Sequence, residues 1–140
     1  MTTITHSHTA TVTAMYEAFG RGDIDGILSH LSENVTWDVT EEPWSLRAAD
    51  VPWARPRRGH AGVREFFDIV GAWTYERFEV RDMLESPTQV AVELRMTAQL
   101  PNGARIDEAV IHLWTFGEDG LVVALRRMLD TAANIAAARG

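Results

Sequence analysis

The sequence predicts an α+β fold, with helices from the N-terminal half laid on one face of an antiparallel sheet built by the C-terminal half. Three observations carry this. Apolar residues recur at helical spacing in three early segments, then alternate with polar ones from residue 75 onward. Tight-turn signals, Ser86-Pro87-Thr88, Leu100-Pro101-Asn102-Gly103 and Gly117–Gly120, punctuate that second half at hairpin intervals. No repeat or low-complexity tract interrupts the 140 residues, which read as one domain over 1–140 with a disordered start over 1–8.

The first helix is marked by Val12, Met15, Tyr16 and Phe19 and stopped by Gly20 and Gly22. Asp23 is placed to cap a second, short helix with Ile24, Ile27, Leu28 and Leu31 on its inner stripe, weakened by Gly26. Ser32-Glu33-Asn34 turns the chain into a short strand, Val35–Val39. Thr40–Arg58 has no period; three prolines, Trp44, Trp53 and four arginines make it either a lid or an oligomer contact, with at least one tryptophan closing over apolar surface. Gly59 opens a third helix, with Val63, Phe66, Phe67 and Val70 at helical spacing, and Gly71 ends it. Four strands follow. The first carries Phe78, Val80 and Leu84 on one parity; the second alternates without fault, Val90, Val92, Leu94, Met96, Ala98 and Leu100 against Gln89, Ala91, Glu93, Arg95, Thr97 and Gln99. Ile106–Phe116 and Leu121–Leu129 complete the sheet, and Asp130 caps a closing alanine-rich helix, Thr131–Arg139.

Composition narrows the chemistry. A net charge of −7 argues against nucleic acid as a partner. Nothing resembles a membrane span or a secretory leader, so a cytoplasmic address is expected by default. Cysteine is absent, which removes thiol nucleophiles and iron–sulfur clusters. All 13 basic residues are arginine, so no side-chain amine exists for Schiff-base chemistry. His6 and His8 have a His-x-His spacing but no further ligands nearby, and no metal site is expected. Proton transfer is left to His, Asp, Glu and Tyr.

One residue stands out against this background. His112 lies deep in the apolar strand Ile106–Phe116, and Glu108, Val110 and Trp114 share its parity and so its face. It is either a satisfied core residue or the chemical centre of a pocket.

The order of elements, with the run from Met15 to Ile27 (Met-Tyr-Glu-Ala-Phe-Gly-Arg-Gly-Asp-Ile-Asp-Gly-Ile) and Val35-Thr36-Trp37-Asp38, resembles the NTF2-like superfamily in its SnoaL-like and ketosteroid-isomerase-like branch. Gly59–Phe67 and Gly120–Asp130 support the match, which spans nearly the whole chain. The resemblance implies a curved antiparallel sheet that closes with three helices into a cone, a homodimer through the outer sheet face, and a small apolar organic ligand inside. It says less about activity, since this fold hosts enzymes and binders alike. The positions at which ketosteroid isomerases keep tyrosine, aspartate and a neutral aspartic acid fall on Met15, Val39 and His112. The Asp–Arg–Asp set of limonene-type epoxide hydrolases falls on Glu93, Arg95 and Arg127, with every charge reversed. Of the His, Asp and Tyr used by scytalone dehydratase and the polyketide cyclases, only the histidine finds a counterpart in the sequence.

What remains is a constellation of Glu93, Arg95, His112 and Arg127 on three strands. His112 would act as acid–base, Arg95 and Arg127 would hold an oxyanion, and Glu93 or Glu108 would orient the imidazole. Trp37, Glu108, Trp114, Met15, Val39, Trp44 and Trp53 would line the ligand. Glu93 and Arg95 read equally as a solvated strand face, Trp37 and Trp114 equally as core, and alternation does not choose between Arg126 and Arg127. Asp38 is read as outward-facing. The functional expectation is cofactor-independent isomerisation, cyclisation, dehydration or hydrolysis of an apolar cyclic molecule. The alternative is a non-catalytic binding or dimeric interaction module.

Overall fold

In chain order the elements are α1 (His8–Gly20), α2 (Ile24–Leu28), β1 (Leu31–Trp37), α3 (Ser45–Ala48), β2 (Arg57–Arg58), α4 (Gly59–Val70), β3 (Thr74–Glu85), β4 (Gln89–Gln99), β5 (Arg105–Phe116), β6 (Val122–Met128) and α5 (Thr131–Arg139), with one 3-10 turn at Pro52–Ala54. The computed structural model describes residues 7–40 and 45–140. Trp44 and His6 lie outside the described residues. Ser7 and His8 are already part of a capped helix: the Ser7 hydroxyl accepts from the Ala10 N–H, and the His8 ring stacks on Phe116 at 4.0 Å.

The six strands form one sheet in the order β2-β1-β6-β5-β4-β3. Its hairpins are antiparallel as expected, but β1 runs parallel to β6. Parallel pairing requires a crossover, and everything from residue 38 to residue 121 supplies it. The expected antiparallel sheet is therefore mixed at this one pair. Helices α1 and α4 pack against it, α2 packs on those two helices, and the core between helices and sheet is almost wholly apolar.

The caps explain the short elements. Asp23 accepts from the Gly26 N–H at 2.9 Å, and a Cβ at position 26 would collide with that carboxylate. Gly26 costs α2 some propensity but leaves room for its cap. Asp130 accepts from the Ala133 N–H at 3.0 Å and starts α5 where the sequence places it.

Three sequence expectations are corrected by local geometry. Ser32-Glu33-Asn34 lies within β1, whose register slips between Leu31 and Thr36 and so absorbs the polar residues. Register shifts in β3, at Tyr75/Arg77 and Val80/Asp82, break the Phe78, Val80, Leu84 stripe. Phe78 and Met83 pack on the core, while Val80 and Leu84 are 40% and 68% exposed. Thr40–Arg58 is not irregular throughout: α3, the 3-10 turn and β2 all fall in it. Its Trp53 is only 5% exposed, so this tryptophan closes over apolar surface as expected.

Candidate functional site

Alternation along β5 aims Glu108, Val110, His112 and Trp114 into the space between sheet and helices, where they line one cavity. Leu94 and Met96 of β4, Leu125 and Arg127 of β6, Trp37 of β1, Met15 and Tyr16 of α1, and Trp53 complete most of the wall. The cavity volume is about 80 Å³. Its walls are aromatic: Trp37 meets Trp114 edge-on at 5.7 Å, and Trp53 meets Trp73 edge-on at 4.9 Å.

His112 is held by a residue that sequence reasoning left in the helix stripe. The Tyr16 hydroxyl lies 2.7 Å from His112 Nδ1 and accepts a hydrogen bond from the Trp114 indole N–H at 3.1 Å. Residues 16 and 112 are 96 positions apart, and α1 must lie across β5 before they meet. Burial, with Arg127 adding to it, pushes the imidazole down to about 3, so the ring is neutral at physiological pH. Burial likewise raises the Tyr16 hydroxyl, against the Trp114 hydrogen bond, and keeps it a neutral O–H. His112 Nε2 has no protein partner among the described residues, leaving it free to meet a ligand.

Arg127, rather than Arg126, faces inward; Arg126 is exposed. Its Nε and Nη2 donate to Asp38 Oδ2 at 2.9 and 2.6 Å, its backbone N–H to Asp38 Oδ1 at 3.0 Å, and Nη2 also to the Trp53 carbonyl. The guanidinium lies 4.5 Å over the Phe66 ring. Asp38 is thus a second residue the sequence reading missed. β1 ends at Trp37, and Asp38 takes a φ of 57°, which breaks the alternation and turns its carboxylate inward beside Trp37. The only sequence signal was an aspartate, one of the few residues that tolerate such a turn.

Val39 is displaced by the same turn: it is half-buried and does not line the cavity, contrary to expectation. Glu93 and Arg95 are also corrected. Leu94 and Met96 point inward, so their neighbours point out; Glu93 is exposed, and Arg95 pairs with Asp107 at 2.6 Å on the outer face. Neither Glu93 nor Glu108 orients the imidazole, because Tyr16 occupies Nδ1. Glu108 instead binds the Asp130 N–H at 3.0 Å and the Asn134 side-chain amide at 2.9 Å. Burial raises its carboxyl, opposed by those two hydrogen bonds. Met15, Trp37, Trp53 and Trp114 all lie in the cavity wall.

Residues 12–125 match the SnoaL-like domain family. Among solved structures, the fold is similar to an NTF2-like protein from Burkholderia pseudomallei K96243, at 24% identity over 97% of this chain and 100% of that one, with a TM-score of 0.78. It is similar to TerC, co-crystallised with polyporic acid, at 23% identity over 95% of this chain and 98% of that one, with a TM-score of 0.75. It is similar too to the Δ5-3-ketosteroid isomerase of a Mycobacterium species, at 21% identity over 91% and 97% of the two chains, with a TM-score of 0.70. At these identities the likeness is one of fold. No curated protein matches the chain.

Proposed function

The chain belongs to the SnoaL-like family and has the NTF2-like fold, and on that premise we propose that its cavity takes a small, apolar, cyclic molecule and moves a proton on it without a cofactor. The observation that carries this is the pair Tyr16–His112, two neutral groups 2.7 Å apart in a cavity whose wall is mostly aromatic and aliphatic. Such a pair can work in both directions. When the Tyr16 O–H donates to Nδ1, Nε2 carries the imidazole proton and can give it to a ligand oxygen. Nδ1 then takes the Tyr16 proton, and the Tyr16 oxygen accepts one from the ligand. One proton enters the ligand, one leaves, and no charge is stranded in a low-dielectric space. Arg127, tied to Asp38, lowers the imidazole's affinity for a second proton and favours the neutral relay. This is isomerase-like chemistry, and the likeness of fold to a ketosteroid isomerase is compatible with it. Tyr16 stands in the cavity wall beside His112, and Asp38 reaches the cavity only through Arg127, to which it is bound.

The reading is tested with aromatic and terpenoid acids and ketones in a thermal-shift screen, since a ligand of the native state raises the midpoint. For a ketone that binds, exchange of its α-hydrogens into deuterium oxide, followed by proton NMR, reads proton transfer directly. His112→Ala and Tyr16→Phe are each expected to slow that exchange by about a hundredfold or more. A His112→Ala protein that keeps its fold, its exchange rate and its affinity would sink the reading. The small volume, about 80 Å³, favours a second reading as a non-catalytic binder; that one predicts midpoint shifts with no exchange at all.

A homodimer through the outer sheet face belongs to the same proposal. Ile111 and Met128, paired across β5 and β6, are 36% and 42% exposed there. Light scattering on the purified protein should give twice the 15.6 kDa chain mass.

A further inference from the structure

We propose that the cavity has a second binding pole at Glu108 Oε2, so that its ligand is elongated, apolar in the middle and oxygenated at both ends, with one end at His112 and the other at Glu108. The inference rests on the proton-transfer reading for the His112 end only. Glu108 and His112 lie on the same face of β5, four residues apart, which separates their backbones by about 13 Å. Between them come Val110 and, opposite it on β4, Leu94, neither of which offers a hydrogen bond.

Glu108 is 2% exposed. One of its oxygens, Oε1, takes both the Asp130 N–H and the Asn134 amide. The other, Oε2, is buried and has no partner among the described residues. The carboxyl is not free to turn and share its partners. Asn134 is fully buried and fixed on its far side, its Oδ1 accepting from the Trp53 indole at 2.8 Å and its Nδ2 also donating to the Asp130 carbonyl at 2.8 Å. A structural staple between β5 and α5 needs only Oε1. An unsatisfied carboxyl oxygen in an apolar wall is costly, and such groups in native structures have a partner to meet. Because burial raises the carboxyl, it holds a proton more readily than an exposed glutamate and can donate to a carbonyl or hydroxyl oxygen.

The test compares two single-ring probes by calorimetry, benzene with one hydroxyl (phenol, the monophenol) and benzene with hydroxyls at both para positions (the diol). Wild-type protein should bind the diol about tenfold tighter, the value of one well-made hydrogen bond. Glu108→Gln, which keeps an Oε1 acceptor and a donor at the second position, should keep that preference. Glu108→Met should lose it while still binding the monophenol. If Glu108→Met does not melt cooperatively, infrared difference spectra decide: a protonated carboxyl band should shift with the diol, stay unmoved with the monophenol, and be missing in Glu108→Gln. Equal affinity for the two probes, or a preference without that band shift, overturns the second pole and leaves the His112 end standing. Failure of both probes to bind at millimolar concentration overturns the pocket reading and the second pole together.

Discussion

Two ion pairs of identical length sit on opposite faces of the same sheet. Arg127–Asp38 and Arg95–Asp107 both close to 2.6 Å, yet the side chains of the first pair are 7% and 1% exposed and those of the second 30% and 44%. Distance therefore says nothing about their roles. On the outer face water screens the pair and competes for it, and such contacts contribute little. On the inner face each partner has been stripped of water, and the pair persists because hydrogen bonds replace what was lost: three from Arg127 to the carboxylate and one to the Trp53 carbonyl. The same contrast separates Glu93 from Glu108, one outward and solvated, the other inward with a raised carboxyl. In the single chain one sheet face carries its charges outward; the other turns a few polar groups into the largely apolar space beneath the helices.

The contrast can be broken hardest at Asp38. Asp38→Ala leaves Arg127 buried without its counterion and should cost about 3–5 kcal/mol in urea unfolding. The double change Asp38→Leu with Arg127→Met should recover much of that loss, because no charge is then buried alone. Asn134→Ala comes next, at about 1–3 kcal/mol, since it unpairs the Trp53 indole and one Glu108 contact together. A pH-dependent effect belongs to His112. In the unfolded chain it takes its proton below the ordinary 6.5, in the fold only near 3. Between those values the unfolded state holds more protons, so stability falls as pH falls, by at most about 1.4 kcal/mol per pH unit. Glu108 has the opposite sign: its raised carboxyl keeps a proton in the fold above its ordinary 4.5, so its contribution is lost as pH rises through that range. His112→Gln should flatten the acid limb of a stability–pH curve and leave the Glu108 slope in place. Asp107→Asn, on the outer face, should leave the urea midpoint unchanged; a shift as large as that of Asp38→Ala would erase the distinction between the faces.

Much of the molecule was legible in the chain. Caps at Asp23 and Asp130, the faultless alternation of β4, and the turns at Leu100–Gly103 and Gly117–Gly120 are local matters, and local chemistry decides them. The shared face of Glu108, Val110, His112 and Trp114 follows from period two alone, and so does the outward aim of Glu93 and Arg95 once Leu94 and Met96 are taken as the buried set. Other features were beyond it. Alternation cannot see where it will be broken, so the irregularities in β3 and the left-handed turn at Asp38 changed the faces of Val80, Leu84, Asp38 and Val39. It cannot choose Arg127 over Arg126 until Asp38 has turned in to meet one of them. Nor can it bring Tyr16 to His112, because that hydrogen bond exists only after α1 has crossed the sheet. The sequence by itself determined the elements, their faces and a histidine in an apolar strand. Tertiary structure alone decided which polar groups meet in the space between them, because long-range hydrogen bonds are set by packing and leave no period in the chain.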